Sequence, residues 1–350
     1  MTKLESRWRR QHWIQFTVFI SILLFATIAL FVIDNLLLSF VVAVVCSYIV
    51  SPVISYLEGH GFSRIVAIIG VFVVFNVLLV LSIWALSPIV VKQLSALKES
   101  LPQYVDATVK VFNSATAMLN SNSGGVFHFD VSDQVKDWLT SKSTQIATSL
   151  PGFLSSSASV LVLSPLLVFF ILKDGHSISR QILRVVPNSL FELTLSLQSQ
   201  ISDQIGQFIR ARLLESAIVG AVVFIGLWIM GIPFSFLLAV IAGVANLIPY
   251  IGPIVGAVPG CVIAFADTGF GGQLILVGVV YALGQLIDMI FIIPLLVARI
   301  VDLHPVSVIL SVILGAKILG VLGMLISIPV ASSLKVILVN VYRHLTDDVV

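Results

Sequence analysis

The sequence predicts an all-α protein that passes through a membrane several times. Of its 350 residues, 58% are hydrophobic and only 10% are Asp, Glu, Lys or Arg, whereas soluble proteins carry about 25% charged residues. The mean hydropathy is +1.11, and the apolar residues gather into about eight segments, many of them near the roughly 20 residues that cross a bilayer as a helix. These observations exclude an ordinary soluble enzyme. The net charge of +2 gives no sign of a nucleic-acid partner.

The hydrophobic segments follow one another along most of the chain. They lie near residues 13–33, 36–57, 65–91, 151–172, 208–231, 234–266, 273–298 and 305–341. The first segment follows three arginines, as a signal peptide would. However, its apolar stretch is longer than that of a signal peptide, and no small-x-small cleavage site follows it. We therefore expect an uncleaved first membrane helix.

Five regions are predicted from these segments and from the distribution of Lys and Arg, which concentrate on the cytoplasmic side of membrane proteins. With the N-terminus inside, most of the 19 Lys and Arg residues fall in cytoplasmic stretches. The regions are N-terminal membrane helices (1–91), an external helical region (92–150), a membrane helix with a cytoplasmic linker helix (151–207), a C-terminal core with two broken segments (208–341) and a cytoplasmic tail (342–350). Both termini are therefore expected in the cytoplasm.

The external region shows a helical pattern but no catalytic chemistry. Apolar residues recur from Val91 to Leu101 at helical spacing. The polar stretch Asn120–Gly125 predicts a flexible loop, and an amphipathic pattern resumes near Val131. We expect a structural role or a contact within an oligomer for residues 92–150.

Two C-terminal segments are predicted to be broken. Segment 234–266 would reach roughly 50 Å as one straight helix, and its middle contains Pro249 and Pro253, which oppose a helix interior. Segment 305–341 is interrupted by three glycines. The two segments align after a shift of 72 residues, for example Pro233 with Pro305. The pattern fits either six spans plus two re-entrant hairpins in an inverted repeat, as in many secondary transporters, or eight kinked spans.

Four ionisable residues lie within these C-terminal apolar segments, where charge is costly and usually has a partner. Arg212 and Glu215 are three residues apart on one helix, so they share a face and can form an ion pair. Asp288 and Lys317 lie at nearly equal distances from the turn near residue 302. Equal distance predicts equal depth in the membrane. The second pair would be either a contact for a proton, cation or solute, or a structural ion pair.

Motifs of several enzyme classes do not occur in the sequence. There is no Walker A motif, no H-E-x-x-H and no G-x-S-x-G. The sequence therefore predicts neither catalytic residues nor a metal site, and it calls for no cofactor.

Five short stretches carry a family resemblance. They are, in this order, Phe169–Gly175, Ile248–Pro253, Leu303–Pro305, Gly320–Met324 and Ile328–Ala331. Together they resemble the autoinducer-2 exporter family of bacterial membrane permeases, over most of the chain. The resemblance implies a homo-oligomeric transporter of the bacterial inner membrane whose helical hairpins are implicated in substrate binding. Some members are assigned to export of autoinducer-2, a small polar furanone-type signal, and others to sodium/proton exchange.

This chain departs from the family pattern at the start of segment 208–231. Arg210-Ala211-Arg212 and Glu215 stand where Arg-Gly-Gln and an apolar residue are usual. An added buried charge pair would change the selectivity of a transport site.

The leading hypothesis is a secondary transporter of a small polar solute whose hairpin tips form a site near the middle of the membrane. The expected substrate-binding residues are Asn246, Pro249, Tyr250, Gly252, Pro253, Gly320 and Gly323. The expected coupling or buried charged residues are Asp288, Lys317, Glu215 and Arg212. Two alternatives stay open: a Na⁺ (or Li⁺)/H⁺ antiporter that uses Asp288, and a non-transporting membrane scaffold organised through residues 92–150.

Overall fold

A computed structural model describes residues 17–18, 21, 24–25, 27–33, 35–122, 132–186, 190–249, 252–269, 271–290 and 303–347. Almost all of these residues are helical, and none of them forms a β-strand. The helices are α1 (Leu36–Gly59), α2 (Arg64–Asn122), α3 (Ser132–Val185), α4 (Phe191–Ile229), α5 (Ser235–Asn246), α6 (Gly252–Thr268), α7 (Gly272–Ile287) and α8 (Pro305–Asp347). The predicted all-α class is confirmed.

Six stretches among the described helices are long and apolar enough to cross a membrane. They are Leu36–Gly59, Arg64–Lys110, Ser159–Gln181, Phe191–Ile229, Gly272–Ile290 and Gly323–Arg343. Most of their surface is apolar and exposed, as expected for helices whose neighbours are lipid tails rather than water. Part of the predicted first span, 13–33, lies outside the described residues, namely 13–16, 19–20, 22–23 and 26. The chain is a polytopic membrane protein.

The helices around the predicted external region run continuously through its boundaries. Helix α2 extends from Arg64 to Asn122 without interruption at residue 91, and α3 extends from Ser132 past residue 150 to Val185. The helical spacing predicted between Val91 and Leu101 is confirmed. Helix α2 ends inside the predicted loop Asn120–Gly125, and the rest of that loop lies outside the described residues.

The chain forms two compact units. The first contains residues 1–79, 155–210 and 301–350, and the second contains residues 80–154 and 211–300. In the first unit, α1, the start of α2 and the second half of α3 share a core. Its buried side chains are Ala43, Val50, Ile54, Ala67, Ile68, Val168 and Leu172. Arg64 joins two of these helices, because its guanidinium lies 3.4 Å from Glu58 and donates to the carbonyl of Leu172 at 3.1 Å.

In the second unit, the later part of α2 packs against the start of α5. Gln93 Oε1 accepts a hydrogen bond of 2.9 Å from the backbone N–H of Leu237, one of the first amides of α5, which have no partner inside the helix. The ring of Tyr104 meets that of Phe234 edge to face, with 6.4 Å between centroids. Residues of the region 92–150 therefore contact the start of α5.

Helices α5 and α6 form an antiparallel hairpin, so segment 234–266 is broken as predicted and is not one kinked span. A Cβ placed on Gly256 would lie 2.8 Å from the Cα of Ala242. At the tip, a Cβ on Gly252 would overlap the carbonyl group of Ala245. With 12 residues, α5 is only about 18 Å long. Pro253 is the second residue of α6, where a missing N–H costs little.

Segment 305–341 also folds back on itself. The break is at Gly320, whose φ of 61° and ψ of −138° are not helical, a conformation that a side chain would strain. A Cβ on Gly315 or Gly323 would overlap the carbonyl group of the other. A Cβ on Gly315 would also lie 3.0 Å from the Cβ of Ser327. These two residues are 12 positions apart, and a straight helix would separate them by about 18 Å.

The two hairpins differ in the length of their return arms. The return arm of the second hairpin contains Gly323–Arg343, a stretch of 21 residues that is long enough to cross a membrane. Pro329 lies inside this arm without ending the helix. The inverted topology of the two halves stays a prediction.

Candidate functional site

Helix α4 packs against two antiparallel neighbours in the second unit. Towards α5, a Cβ on Gly220 would lie 3.5 Å from the Cα of Gly243, so the two backbones nearly touch. Towards α7, a Cβ on Gly226 would lie 2.5 Å from a methyl group of Val280, and one on Gly284 would lie 3.7 Å from Val223. Small residues thus let three helices approach closely, as in membrane helix packing.

A cluster of polar side chains lies at one end of this three-helix contact. Arg212 and Glu215 come from α4, Asn246 is the last residue of α5, and Asp288 directly follows α7. All four are buried: Glu215 is 0% exposed, Asp288 3%, Asn246 4% and Arg212 8%. Polar groups at this depth are costly unless they have partners. We call these four residues the polar cluster.

Hydrogen bonds join the members of the polar cluster. The guanidinium of Arg212 donates to Glu215 Oε1, which confirms the predicted ion pair and places it in the protein interior. The Asn246 amide donates to the same oxygen at 3.4 Å. The Gln285 amide donates to Asp288 Oδ2, also at 3.4 Å. The carboxyl groups of Glu215 and Asp288 lie within hydrogen-bonding reach of each other.

Several oxygens of this site have unused hydrogen-bonding capacity. Glu215 Oε2 and Asp288 Oδ1 are buried and accept a hydrogen bond from no N–H or O–H group among the described residues, and the buried hydroxyl of Ser216 has no partner there either. Buried polar atoms are normally paired, and an exception needs an explanation. A bound proton, cation or hydroxyl-bearing solute would satisfy these oxygens.

An apolar groove lined by α4 and α5 adjoins the polar cluster. Its volume is about 420 Å³, and Ser216 and Leu247 lie at its border with the cluster. Two small residues of α4, Ala217 and Ala221, also line it. No group of three or more His, Cys, Asp or Glu side chains among the described residues could hold a metal ion.

The structure brings only some of the predicted site residues together. Pro249, Gly252 and Pro253 lie at the tip of the first hairpin next to Asn246, whereas Tyr250 lies outside the described residues. Lys317, Gly320 and Gly323 belong to the first compact unit. Their meeting with the polar cluster, and the predicted pair of Asp288 with Lys317, therefore stay predictions.

The contact between Glu215 and Asp288 was not predicted from the sequence. The presence of Ser216 and Gln285 at the site was not predicted either. The predicted repeat offers a signal for the contact. The shift of 72 residues aligns Ser216 with Asp288, so the two acids would occupy nearly equivalent places in the helix that precedes each hairpin. In repeats related by a two-fold axis, equivalent positions can meet near that axis.

Known proteins similar to this chain establish its family. The family model described as AI-2E family transporter matches residues 19–343. YrrI of Bacillus subtilis, whose name calls it a transport protein, is 26% identical over 326 residues, which cover 90% of this chain and 89% of YrrI. PerM of Escherichia coli (strain K12), whose name calls it a permease, is 29% identical over 315 residues, or 88% of each chain. The chain therefore belongs to the AI-2E family of membrane transporters, as its ordered motifs predict.

Proposed function

We propose that this protein is a secondary transporter whose solute binds at the polar cluster beside the tip of the first hairpin. One observation carries the proposal: buried carboxyl oxygens with unused hydrogen-bonding capacity lie where the helix from Ser235 to Asn246 ends. Interrupted helices next to intramembrane polar residues are a recurring form of transport site. The membership in a family of transporters supports it.

The chemistry of the cluster suits a small solute rich in hydroxyl groups. The free oxygens of Glu215 and Asp288 can accept hydrogen bonds from hydroxyls, and the Asn246 amide can both donate and accept. The apolar groove beside Ser216 offers a surface for the carbon skeleton of such a solute. We propose a solute of the autoinducer-2 type, a class suggested by the family resemblance. The proposed direction of transport is export.

Transport into everted vesicles tests this placement, because export corresponds to uptake there. We expect Asn246→Ala to lower the initial rate of labelled autoinducer-2 uptake at least tenfold. This substitution removes a polar contact from the site itself. Asn76→Ala is the matched control, because the Asn76 amide donates a hydrogen bond within its own helix, to the Phe72 carbonyl. We expect the control to stay within twofold of the unmodified protein. Full uptake by Asn246→Ala would refute the placement.

The second candidate is a Na⁺ (or Li⁺)/H⁺ antiporter. The observation that favours it is the buried Asp288 carboxyl next to a second carboxyl group, since an acid at such a position can alternate between proton and cation. In everted vesicles that carry a pH-sensitive dye and an acidified lumen, adding Na⁺ should dequench the dye if exchange occurs. No dequenching in vesicles whose protein is folded would remove this candidate.

We also propose a location, a topology and an oligomeric state for the protein. We place the protein in the bacterial inner membrane as a homo-oligomer with both termini in the cytoplasm. Accessibility labelling tests the sides after Cys46 and Cys261 have been replaced by Ser. The re-entrant arrangement puts Asp267→Cys outside and Asp302→Cys inside. Eight straight spans would reverse both.

A further inference from the structure

The polar cluster contains more acid than base. Two carboxyl groups, Glu215 and Asp288, lie beside one guanidinium, that of Arg212. The groups packed against them from α5 and α7 are the neutral amides of Asn246 and Gln285. Within the second compact unit, Arg212 is the cation that acts on the two carboxyls. If both acids were ionised, the cluster would carry one uncompensated negative charge in the protein interior.

An uncompensated charge at this burial is unfavourable for two reasons. The exposed fractions of the two acids, 0% and 3%, leave almost no water to solvate a second anion. Two carboxylates that share a site also repel each other, which makes the doubly ionised pair unfavourable. One bound proton would leave one anion, which balances the single positive charge of Arg212.

The contact between the carboxyl groups favours a proton over a metal cation. Two carboxylates carry no hydrogen with which to bond to each other, whereas a carboxylic acid donates an O–H to a carboxylate. The two groups lie within hydrogen-bonding reach. Among the described residues, no third His, Cys, Asp or Glu joins them to build a cation site.

We propose that Glu215 and Asp288 share one exchangeable proton and that this pair is the proton-coupling site of the transporter. In the loaded state, an O–H of one carboxyl bonds to an oxygen of the other, and the cluster is neutral. When the proton leaves to water, the pair gains one negative charge and both acids become acceptors only. Solute hydroxyls can then donate to the freed oxygens. The coupling role rests on the proposed function, whereas the shared proton does not.

Infrared spectroscopy of the full chain in lipid tests the shared proton without any solute. We expect the unmodified protein at neutral pH to show a carboxylic-acid C=O band that disappears at high pH. The conservative variants Glu215→Gln and Asp288→Asn should each lose this band. In each variant a single carboxyl remains, and its ionised form balances the positive charge of Arg212 without a bound proton. Asp267→Asn and Glu58→Gln are controls outside the cluster, and both should keep it.

Three outcomes would overturn the shared proton. They are the absence of the band in the unmodified protein, its persistence in either cluster variant, and its loss when Na⁺ replaces choline in the buffer. If the band behaves as expected but the uptake by unmodified protein ignores a pH gradient, the pair is not the coupling site. If Asn246→Ala transports normally while the band is present, the placement of the solute site fails and the shared proton stands.

Discussion

At the scale of single residues, the main feature is that two ion pairs of this protein differ in burial. Arg212 and Glu215 are 10% and 0% exposed in their side chains, whereas Arg64 and Glu58 are 36% and 30% exposed. Removing one member of a buried pair leaves an uncompensated charge and costs about 3–5 kcal/mol, whereas exposed pairs contribute about 0–1 kcal/mol. The same substitution should therefore have unequal effects at the two sites.

We expect Arg212→Gln to destabilise the protein by roughly 3 kcal/mol and Arg64→Gln by less than about 1 kcal/mol. Unfolding in mixed micelles measures both changes. The double variant Arg212→Gln with Glu215→Gln should recover much of the loss, because it removes both charges of the pair. Equal losses in the two single variants would show that burial of the Arg212 pair has no energetic consequence.

At the scale of elements, the sequence located the broken segments well but not their partners. Pro249, Pro253 and Gly320 oppose a continuous helix wherever they lie, so the breaks follow from local chemistry. Equal distance along the chain from a turn predicts that two residues lie at the same depth in the membrane, as for Asp288 and Lys317. It cannot select the side of a helix that a residue faces, because that depends on which small residues permit close packing. The contact of Glu215 with Asp288 needed the structure for this reason.

We expect Gly252→Ala to disrupt the first hairpin, because the added Cβ would overlap the carbonyl group of Ala245. Backbone shifts caused by overpacking typically cost about 1–3 kcal/mol. Gly272→Ala is the matched control, since a Cβ there meets no atom of the described residues within 4 Å. Thermal unfolding in detergent and vesicle uptake should both fall for the first variant only. Similar behaviour of the two variants would contradict the close approach of the hairpin arms at Gly252.

At the scale of the whole molecule, the chain combines spans that face lipid with few buried polar groups. Only 10% of its residues are Asp, Glu, Lys or Arg, and Arg212, Glu215 and Asp288 are among those that the structure buries. A polar cluster of this kind is either sealed, as a structural ion network, or reached by water, as a transport site must be. These two readings differ in one observable property, the access of water-soluble reagents.

Reaction of Ser216→Cys with a membrane-impermeant thiol reagent therefore tests the central claim most directly. The background has Cys46 and Cys261 replaced by Ser, and Ala264→Cys, at a core position with 0% exposure, is the control. We predict that Ser216→Cys reacts from at least one side of the membrane while Ala264→Cys does not. If Ser216→Cys were as unreactive as Ala264→Cys in protein that transports, the cluster would be sealed and could not be the transport site.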